Sequence, residues 1–191
     1  MKFIKYFIVF LILQGCSSNY NWGWHILSPD TVEGLTNLKF LISGITITIY
    51  ISVISIILAM IIGLVVALPS LSNNKFLSYF NIAYVEIVRA IPLLVLILWI
   101  YYGLPIMTGI SFSPFVSGII ALTISESAFQ AEIFRAGINS INKGQYEVAN
   151  SLGMNFWKKM RLVILPQAIK VVLPALGNQF VYVLKMSSLV S

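Results

Sequence analysis

The chain has 191 residues, of which 59% are hydrophobic and only 9% are charged, with a formal net charge of +6. A soluble domain carries about 25% charged residues, so this composition excludes an ordinary soluble protein and indicates one that lies in a lipid bilayer. The single cysteine and single histidine exclude an internal disulfide and a site with two histidine ligands, and we expect no cofactor. The sequence lacks basic patches interleaved with aromatic residues, so no nucleic-acid partner is expected.

The first 16 residues resemble a secretion signal or a short membrane anchor. Two lysines precede the apolar run Phe7–Leu13, which is too short to span a bilayer. The run continues to Leu-Gln-Gly before Cys16, which is similar to a bacterial lipobox, where a peptidase cuts before a cysteine that carries lipid. Lipidation of Cys16 and an uncleaved anchor are both open, and both leave residues 17–34 outside the cytoplasm.

Four later runs are long enough to cross a bilayer, which takes about 20 apolar residues in a helix. They lack the alternation of a transmembrane barrel strand, and a helix satisfies its own backbone groups in lipid. Pro92 in the second run and Pro174 in the fourth predict kinks. We therefore predict an all-α fold, a bundle of transmembrane helices. The predicted spans are Ile42–Leu68, Phe80–Gly103, Pro114–Phe134 and Ala168–Leu184.

Basic residues set the predicted orientation, because they are retained on the cytoplasmic side of a membrane. The segment after the third span holds five basic residues and one acid, Glu147, so we place it in the cytoplasm. The uncharged loop Leu104–Ser113 is then outside, and the loop Pro69–Tyr79, which carries Lys75, is inside.

The cytoplasmic segment, about residues 139–166, is longer than a turn requires and is predicted to form two short helices. Asn142 caps the first helix, Lys143–Leu152, and Gln145 stands in the reciprocal position of a capping box. Gly153 is a natural stop for this helix.

The second short helix of this segment is predicted to begin after Asn155 and to run to about Val163. Leu165-Pro166 should end it, because the residue before a proline avoids the helical region. In the first helix, the small side chain of Ala149 allows another surface to approach closely. Physical arguments leave two alternatives here, a docking surface for a soluble partner and a helix pair lying on the lipid headgroups.

Three polar residues share one face of the third predicted span, namely Thr123, Glu126 and Gln130. A charged residue near the middle of a spanning helix costs about 2.5–3.5 kcal/mol on insertion scales and is a functional candidate by default. The stripe should face protein or a water-filled path rather than lipid. Glu126 is read as a residue of the substrate path, and the alternative is a structural hydrogen bond or ion pair.

Two Glu-x-x-Arg repeats lie toward the predicted cytoplasmic ends of the second and third spans. They are Glu86 with Arg89 and Glu132 with Arg135, and each places an acid and a base at i and i+3. These residues are candidates for ion pairs or for an inner gate, and the alternative is that the arginines reach the interface from the helix ends.

The cytoplasmic segment is similar to the EAA loop of ABC importer permeases. That pattern is EAA, three residues, G, nine residues, I, one residue and LP. The matching residues are Glu147-Val148-Ala149, Gly153, Val163, Leu165 and Pro166, with mild departures at Val148 and Val163. Three further stretches, Tyr84–Leu94, Ala131–Ile138 and Pro166–Phe180, resemble the polar amino acid uptake branch of that family.

The resemblance implies a permease in the bacterial cytoplasmic membrane, with residues 35–191 as its transmembrane domain. The two short helices would be coupling helices in a groove of a cytoplasmic ABC ATPase dimer. Glu147 would contact the ATPase or cap the loop, and Gly153 would set the turn. The other partners would be a second permease subunit, identical or not, and an extracytoplasmic substrate-binding protein. The chain has no phosphate-binding GxxxxGK[ST] motif, so we expect it to transport polar or basic amino acids without hydrolysing ATP itself.

Two other interpretations follow from the same sequence. Relatives of this branch continue into another span, so the chain is expected to lack the last helix of the family, which leaves open a non-functional fragment. A membrane-anchored docking scaffold is the alternative from another class, and the buried carboxylate of Glu126 favours a transporter over it. An intramembrane enzyme has little support, because neither HExxH nor GxSxG occurs.

Overall fold

The computed structural model describes residues 23–71 and 75–190, and every regular element within these ranges is helical, which confirms the predicted all-α class. The helices are α1 (Val32–Ala67), α2 (Lys75–Ala90), α3 (Leu93–Thr108), α4 (Pro114–Asn139), α5 (Lys143–Ser151) and α6 (Phe156–Leu189). Short 3-10 turns lie at Trp24–Leu27 and Leu68–Leu71. The predictions for the first 16 residues, including lipidation of Cys16, lie outside the described residues.

Helix α1 begins at Val32 rather than at the predicted Ile42. Thr31 is its N-terminal cap, because the Thr31 hydroxyl accepts a hydrogen bond from the backbone N–H of Gly34 at 3.0 Å. The prediction marked where the apolar run begins, whereas the cap decides where the helix begins. The described residues 23–43 belong to a compact unit separate from the rest, and in it the Asn37 amide donates to the Ile26 carbonyl at 3.0 Å.

The second compact unit, Gly44–Ser191, is organised around α4. The hydroxyl of Ser113 caps α4 by accepting from the Val116 N–H at 3.3 Å, and Pro114 occupies the first turn, where its missing N–H is not needed. Along α4 one residue after another is buried, and apolar clusters tie it to α2 through Val85 and to α3 through Leu96.

Only some of the predicted spans are apolar enough to cross a membrane by length and composition. Among the described residues these are α1 and α6, with α2 and α3 as a third if the pair is counted as one bent span. The predicted third span forms a helix, α4, but does not meet this criterion. Its polar side chains are enclosed by other helices, so its surroundings do not require an apolar surface.

The predicted second span is broken rather than merely kinked. Helices α2 and α3 meet at an angle of 92°, with Ile91 and Pro92 at the break. Pro92 lacks an N–H to continue α2, and its carbonyl instead accepts from Leu96 N–H at 3.1 Å as α3 begins. Helix α3 then runs to Thr108, further into the predicted outer loop than expected, and ends where Gly109 adopts a left-handed φ of 73°.

The second short helix of the predicted cytoplasmic segment was expected to end at Leu165-Pro166, and this was wrong. The helix continues from Phe156 to Leu189 through a π-helical turn, Met160–Ile164, in which the Leu165 N–H reaches the Met160 carbonyl five residues back. A widened turn leaves room for the ring of Pro166, which follows directly. Helix α6 also continues without interruption past Pro174.

Gly63 is a point of close approach between α1 and α4. A Cβ atom placed on Gly63 would lie 2.9 Å from the Ser127 carbonyl oxygen and 3.0 Å from the Ala131 nitrogen. These are backbone atoms of α4, so they cannot rotate away as a side chain can. The two helices therefore depend on a residue without a side chain at this position.

We expect Gly63→Ala to destabilise the protein by about 1–3 kcal/mol, since the added methyl group must push two helices apart. The measurement is the thermal unfolding midpoint of the purified protein in detergent. Gly177→Ala is the matched control, because a Cβ on Gly177 meets nothing within 4 Å. Equal midpoints for the two variants would contradict the proposed close contact.

Candidate functional site

The first short helix of the predicted cytoplasmic segment, α5, is capped as predicted at its start but not by a full capping box. The Asn142 side-chain oxygen accepts from the Gly144 N–H at 2.8 Å. The side chain of Gln145 turns away from the cap, and its oxygen accepts from the Gln167 amide at 3.3 Å. The Gln167 amide also donates to the Val163 carbonyl at 2.9 Å. Gln145 therefore connects α5 to α6 instead of closing its own helix.

Gly153 forms the turn between the two short helices, as the sequence predicts. Its φ of 67° lies in the left-handed region, which glycine adopts without steric penalty. The Gly153 N–H donates to the Asn150 carbonyl at 2.9 Å, and the Met154 N–H donates to the Ala149 carbonyl at 3.0 Å. These bonds satisfy carbonyls that the end of a helix leaves free. The Asn155 side chain then caps the next helix.

A contact between side chains holds the two short helices together. The Lys159 ammonium donates to the Asn150 side-chain oxygen at 2.8 Å and lies 5.9 Å from the centre of the Tyr146 ring. Burial raises the pKa of the Tyr146 phenol, so it stays neutral at physiological pH. Tyr146 also packs on an apolar cluster built around Ile164 and Ala168 of α6. These contacts hold α5 against the start of α6. We call α5, the turn at Gly153 and the first turns of α6 the braced corner.

The motif residues of this corner have different surroundings. Ala149 is only 1% exposed, so its small side chain lets the chain's own helices approach and does not itself reach a partner. Glu147 and Val148 are exposed on α5. Val163 packs on the apolar cluster, whereas Leu165 and Pro166 are exposed. The outer surface also carries large apolar side chains that the sequence analysis did not single out, namely Leu152, Phe156, Trp157 and Leu162.

The polar stripe on α4 faces protein, as predicted. Thr123, Glu126 and Gln130 are all buried, and Glu126 is 0% exposed. The Gln179 amide of α6 donates to one Glu126 carboxylate oxygen at 2.6 Å. Sequence reasoning missed Gln179 as a partner, although a polar amide within an apolar spanning helix was a signal for it.

Several polar atoms of the stripe have no hydrogen-bond partner among the described residues. They are the second carboxylate oxygen of Glu126, the Thr123 hydroxyl, and both the nitrogen and the oxygen of the Gln130 side chain. An unpaired buried polar group costs about 1–3 kcal/mol, so such groups are rare in folded proteins. This set offers a carboxyl oxygen, a hydroxyl and an amide whose hydrogen-bonding capacity no described residue uses.

The two Glu-x-x-Arg repeats line a single cavity of about 330 Å³ between α2 and α4. Glu132 and Arg135 form a two-point ion pair, with N···O distances of 2.9 and 2.5 Å. Glu86 and Arg89 form no ion pair among the described residues, and the Arg89 guanidinium instead lies 4.9 Å from the centre of the Phe129 ring. Within the described residues, an i, i+3 ion pair therefore forms in the second repeat and not in the first.

Asn81 is a further residue of this cavity that the sequence analysis missed. It lies one turn before Val85 on the same face of α2, and its amide donates to the carbonyl of Val66 at the end of α1. A buried asparagine points to such a cavity only when it is known which helices pack beside it, and the sequence alone does not show this.

A family model described as the binding-protein-dependent transport system inner membrane component matches residues 59–191. This match covers more than half of the chain and includes α4, the braced corner and α6. The chain belongs to this family. The permease is 43% identical over 153 residues to a probable glutamine ABC transporter permease protein, GlnM of Bacillus subtilis, covering 80% of this chain and 70% of that protein.

Two further comparisons support the same family. The permease is 34% identical over 165 residues to the arginine transport system permease protein ArtQ of Bacillus subtilis, covering 86% of this chain and 75% of that protein. A crystal structure of an amino acid ABC transporter with histidines matches with a TM-score of 0.75 and 42% identity, covering 84% of this chain and 76% of that one. An inward-facing MetNI methionine ABC transporter has the same fold at a TM-score of 0.65 and 23% identity.

We expect Gln179→Leu to destabilise the permease by about 1–3 kcal/mol, because it leaves the Glu126 oxygen buried without its donor. The measurement is thermal unfolding of the purified protein in detergent. Glu126→Gln is the matched control, since its amide oxygen still accepts from Gln179, and it should unfold close to the wild-type temperature. A Gln179→Leu protein as stable as Glu126→Gln would contradict the importance of this hydrogen bond.

Proposed function

We propose that this permease is the membrane subunit of an ABC importer that moves polar or basic amino acids into a bacterial cell. The observation that carries the proposal is the family match over α4 and the braced corner, together with relatives named for glutamine and arginine transport. The buried polar stripe on α4 supports it, because a polar solute needs polar partners on its way through an apolar bundle.

The coupling helices provide the link to an energy source. Glu147 and Val148 are exposed on α5, and the corner also exposes the large apolar side chains of Leu152, Phe156, Trp157 and Leu162. Such a surface suits a groove in a cytoplasmic ATPase subunit, since apolar and aromatic residues dominate the centres of protein interfaces. When ATP closes the ATPase dimer, the corner moves with it and pulls on α6.

The route from the corner to the polar stripe is continuous within the described residues. The Gln145–Gln167 contact and the Ile164 cluster attach the corner to α6. Helix α6 in turn reaches the polar stripe through the hydrogen bond from Gln179 to Glu126. Movement of α6 would therefore change the surroundings of the proposed substrate path, formed by Thr123, Glu126 and Gln130.

The charged cavity near the C-terminal end of α4 is proposed as the inner gate. Glu132 and Arg135 are already paired, while Glu86 and Arg89 face the same cavity from α2. A rotation of α2 against α4 would exchange pairs across the cavity. Opening and closing then requires rearranging ion pairs and leaves the apolar packing of the bundle intact.

The proposed assembly follows from what the chain lacks and what the family requires. The sequence carries no phosphate-binding loop, so ATP hydrolysis is assigned to a separate ATPase dimer. A second permease subunit and an extracytoplasmic substrate-binding protein complete the importer. The complex is placed in the bacterial cytoplasmic membrane, with the corner on the cytoplasmic side.

We expect Glu147→Arg to abolish ATP-driven uptake, because it replaces a negative charge with a positive one on the surface where the corner is proposed to meet the ATPase. The measurement is amino-acid uptake into proteoliposomes that contain the complete importer. Glu33→Arg is the control, since Glu33 is an exposed acid in the first turn of α1, far from the corner in sequence, and carries the same charge change. Unchanged uptake by Glu147→Arg would contradict docking at this surface.

We expect Glu126→Gln to raise the KM for arginine about tenfold, since a charged hydrogen bond contributes roughly 1.5–3 kcal/mol, and to change the KM for glutamine less. Glutamate and glutamine side chains have the same shape, so a difference in KM between the wild type and the variant reports on the charge. The measurement is concentration-dependent uptake of each radiolabelled amino acid. Identical kinetics for both substrates would remove Glu126 from the substrate path.

A further inference from the structure

Helix α6 has three faces that differ in composition. The buried face carries Val172 and Val183. One exposed face carries the large apolar side chains of Leu165, Ile169 and Leu173, which suit lipid. A second exposed face lies about a third of a turn further around the helix axis. Its exposed residues, at i, i+4, i+7, i+8, i+11 and i+15, are Lys170, Pro174, Gly177, Asn178, Val181 and Lys185. We call this set the polar face of α6, and its lysines and asparagine are unsuited to lipid.

Asn178 lies at the middle of the polar face and at the middle of the predicted span. At 1.5 Å per residue it stands about 15 Å from Ala168, which is half the thickness of a hydrocarbon core of about 30 Å. Lys170 and Lys185 lie about 12 and 10 Å from it along the helix, so their long side chains can reach the two membrane surfaces. The short Asn178 side chain cannot. It makes no hydrogen bond in the part of the chain that the structure describes, and lipid would leave its amide unpaired.

Gly177, beside Asn178, leaves room for another helix. A Cβ atom on Gly177 would meet nothing within 4 Å, so this glycine is not required by packing within the chain. Small residues in spanning helices let the backbone of a neighbouring helix approach closely, and asparagine side chains form hydrogen bonds across such contacts. Alanine is also small enough for this, whereas a large side chain at Gly177 would block the approach. Gly177 and Asn178 thus form a helix-docking surface at mid-membrane that the described chain leaves open.

We propose that the polar face of α6 binds the same face of a second copy of this chain, with Gly177 and Asn178 at the contact. Two copies inserted in the same direction are related by a two-fold axis along the membrane normal, so a residue at the axis meets its own counterpart. Asparagine suits this position because its amide both donates and accepts, and two such amides satisfy each other. Each lysine meets its counterpart only at a membrane surface, where water and salt screen the repulsion. The contact rests on the proposed function and makes the second permease subunit an identical chain.

Oxidative cross-linking in proteoliposomes tests this geometry. We expect Asn178→Cys to form a disulfide-linked dimer, whereas Leu173→Cys, on the apolar face, should stay monomeric. The wild-type protein reports the background from Cys16, the only cysteine of the chain. Equal dimer yields from the two variants would show random collision and overturn the contact.

Labelling of the same Asn178→Cys protein distinguishes the other possible surroundings of the polar face. We expect a water-soluble maleimide to leave this cysteine unlabelled, because the second copy covers it. Full labelling would show that the polar face lines a water-filled path instead. A cysteine that neither cross-links nor reacts would assign the face to a different helix. Both results contradict a contact between identical chains.

The strength of association is measured by fluorescence energy transfer between two differently tagged populations of the permease, in proteoliposomes without the ATPase and at decreasing protein-to-lipid ratios. We expect Asn178→Leu to weaken association about tenfold, which corresponds to about 1.4 kcal/mol. Gly177→Leu should also weaken it, because its side chain separates the helices. Asn178→Gln keeps an amide and should stay within about threefold of the wild type. Since the Asn178 side chain bonds to nothing in its own chain, these changes should leave the single chain folded.

This assay separates the contact from the proposed function. Energy transfer that Asn178→Leu leaves unchanged, or no energy transfer in the wild type, would overturn the contact even if the complete importer takes up amino acids. Dimers that depend on Asn178 but take up no amino acid in a complete importer would instead overturn the proposed function and leave the contact standing.

Discussion

The carboxylate of Glu126 sets the main constraint on this structure. A charged or polar side chain within a membrane must be surrounded by protein, because lipid offers it no hydrogen bond. Helix α4 carries Glu126 between Thr123 and Gln130, and α1, α2 and α6 enclose it. The close approach at Gly63 and the bond from Gln179 are consequences of that requirement. The least apolar of the predicted spans is for this reason the most buried one.

Because it is buried in this way, α4 also contacts both helices that are proposed to move, α2 and α6. Helix α6 is a single helix from the corner to the far side of the bundle, because the π turn at Met160–Ile164 accommodates Pro166 without ending it. A force applied to the corner can thus act along α6 as a lever. Two separate helices with a break at Leu165-Pro166, as the sequence predicted, would transmit such a movement less directly.

The features that could be predicted from the sequence are those that local residues decide. The left-handed turn at Gly153, the asparagine caps and the protein-facing stripe on α4 depend on neighbours within a few positions along the chain. The break at Pro92 was predicted only as a kink, because its size depends on how α3 packs against α4. The partner of Gln145 was missed for a similar reason. Its side-chain oxygen had a local donor in the backbone N–H of Asn142, as in a capping box, and a distant donor in the Gln167 amide, and tertiary packing selected the second.

The two Glu-x-x-Arg repeats show the same limit within one pattern. Both have the spacing that allows an ion pair, yet only Glu132 and Arg135 form one, since the Phe129 ring offers the Arg89 guanidinium an alternative. Glu86 is left facing the cavity without an ion-pair partner among the described residues. A cavity with one pair already formed and one acid and base still unpaired can exchange partners at little electrostatic cost. Two fully formed pairs would hold α2 and α4 in one arrangement, so the unequal use of the repeats supports the proposal that this end of the bundle is the inner gate.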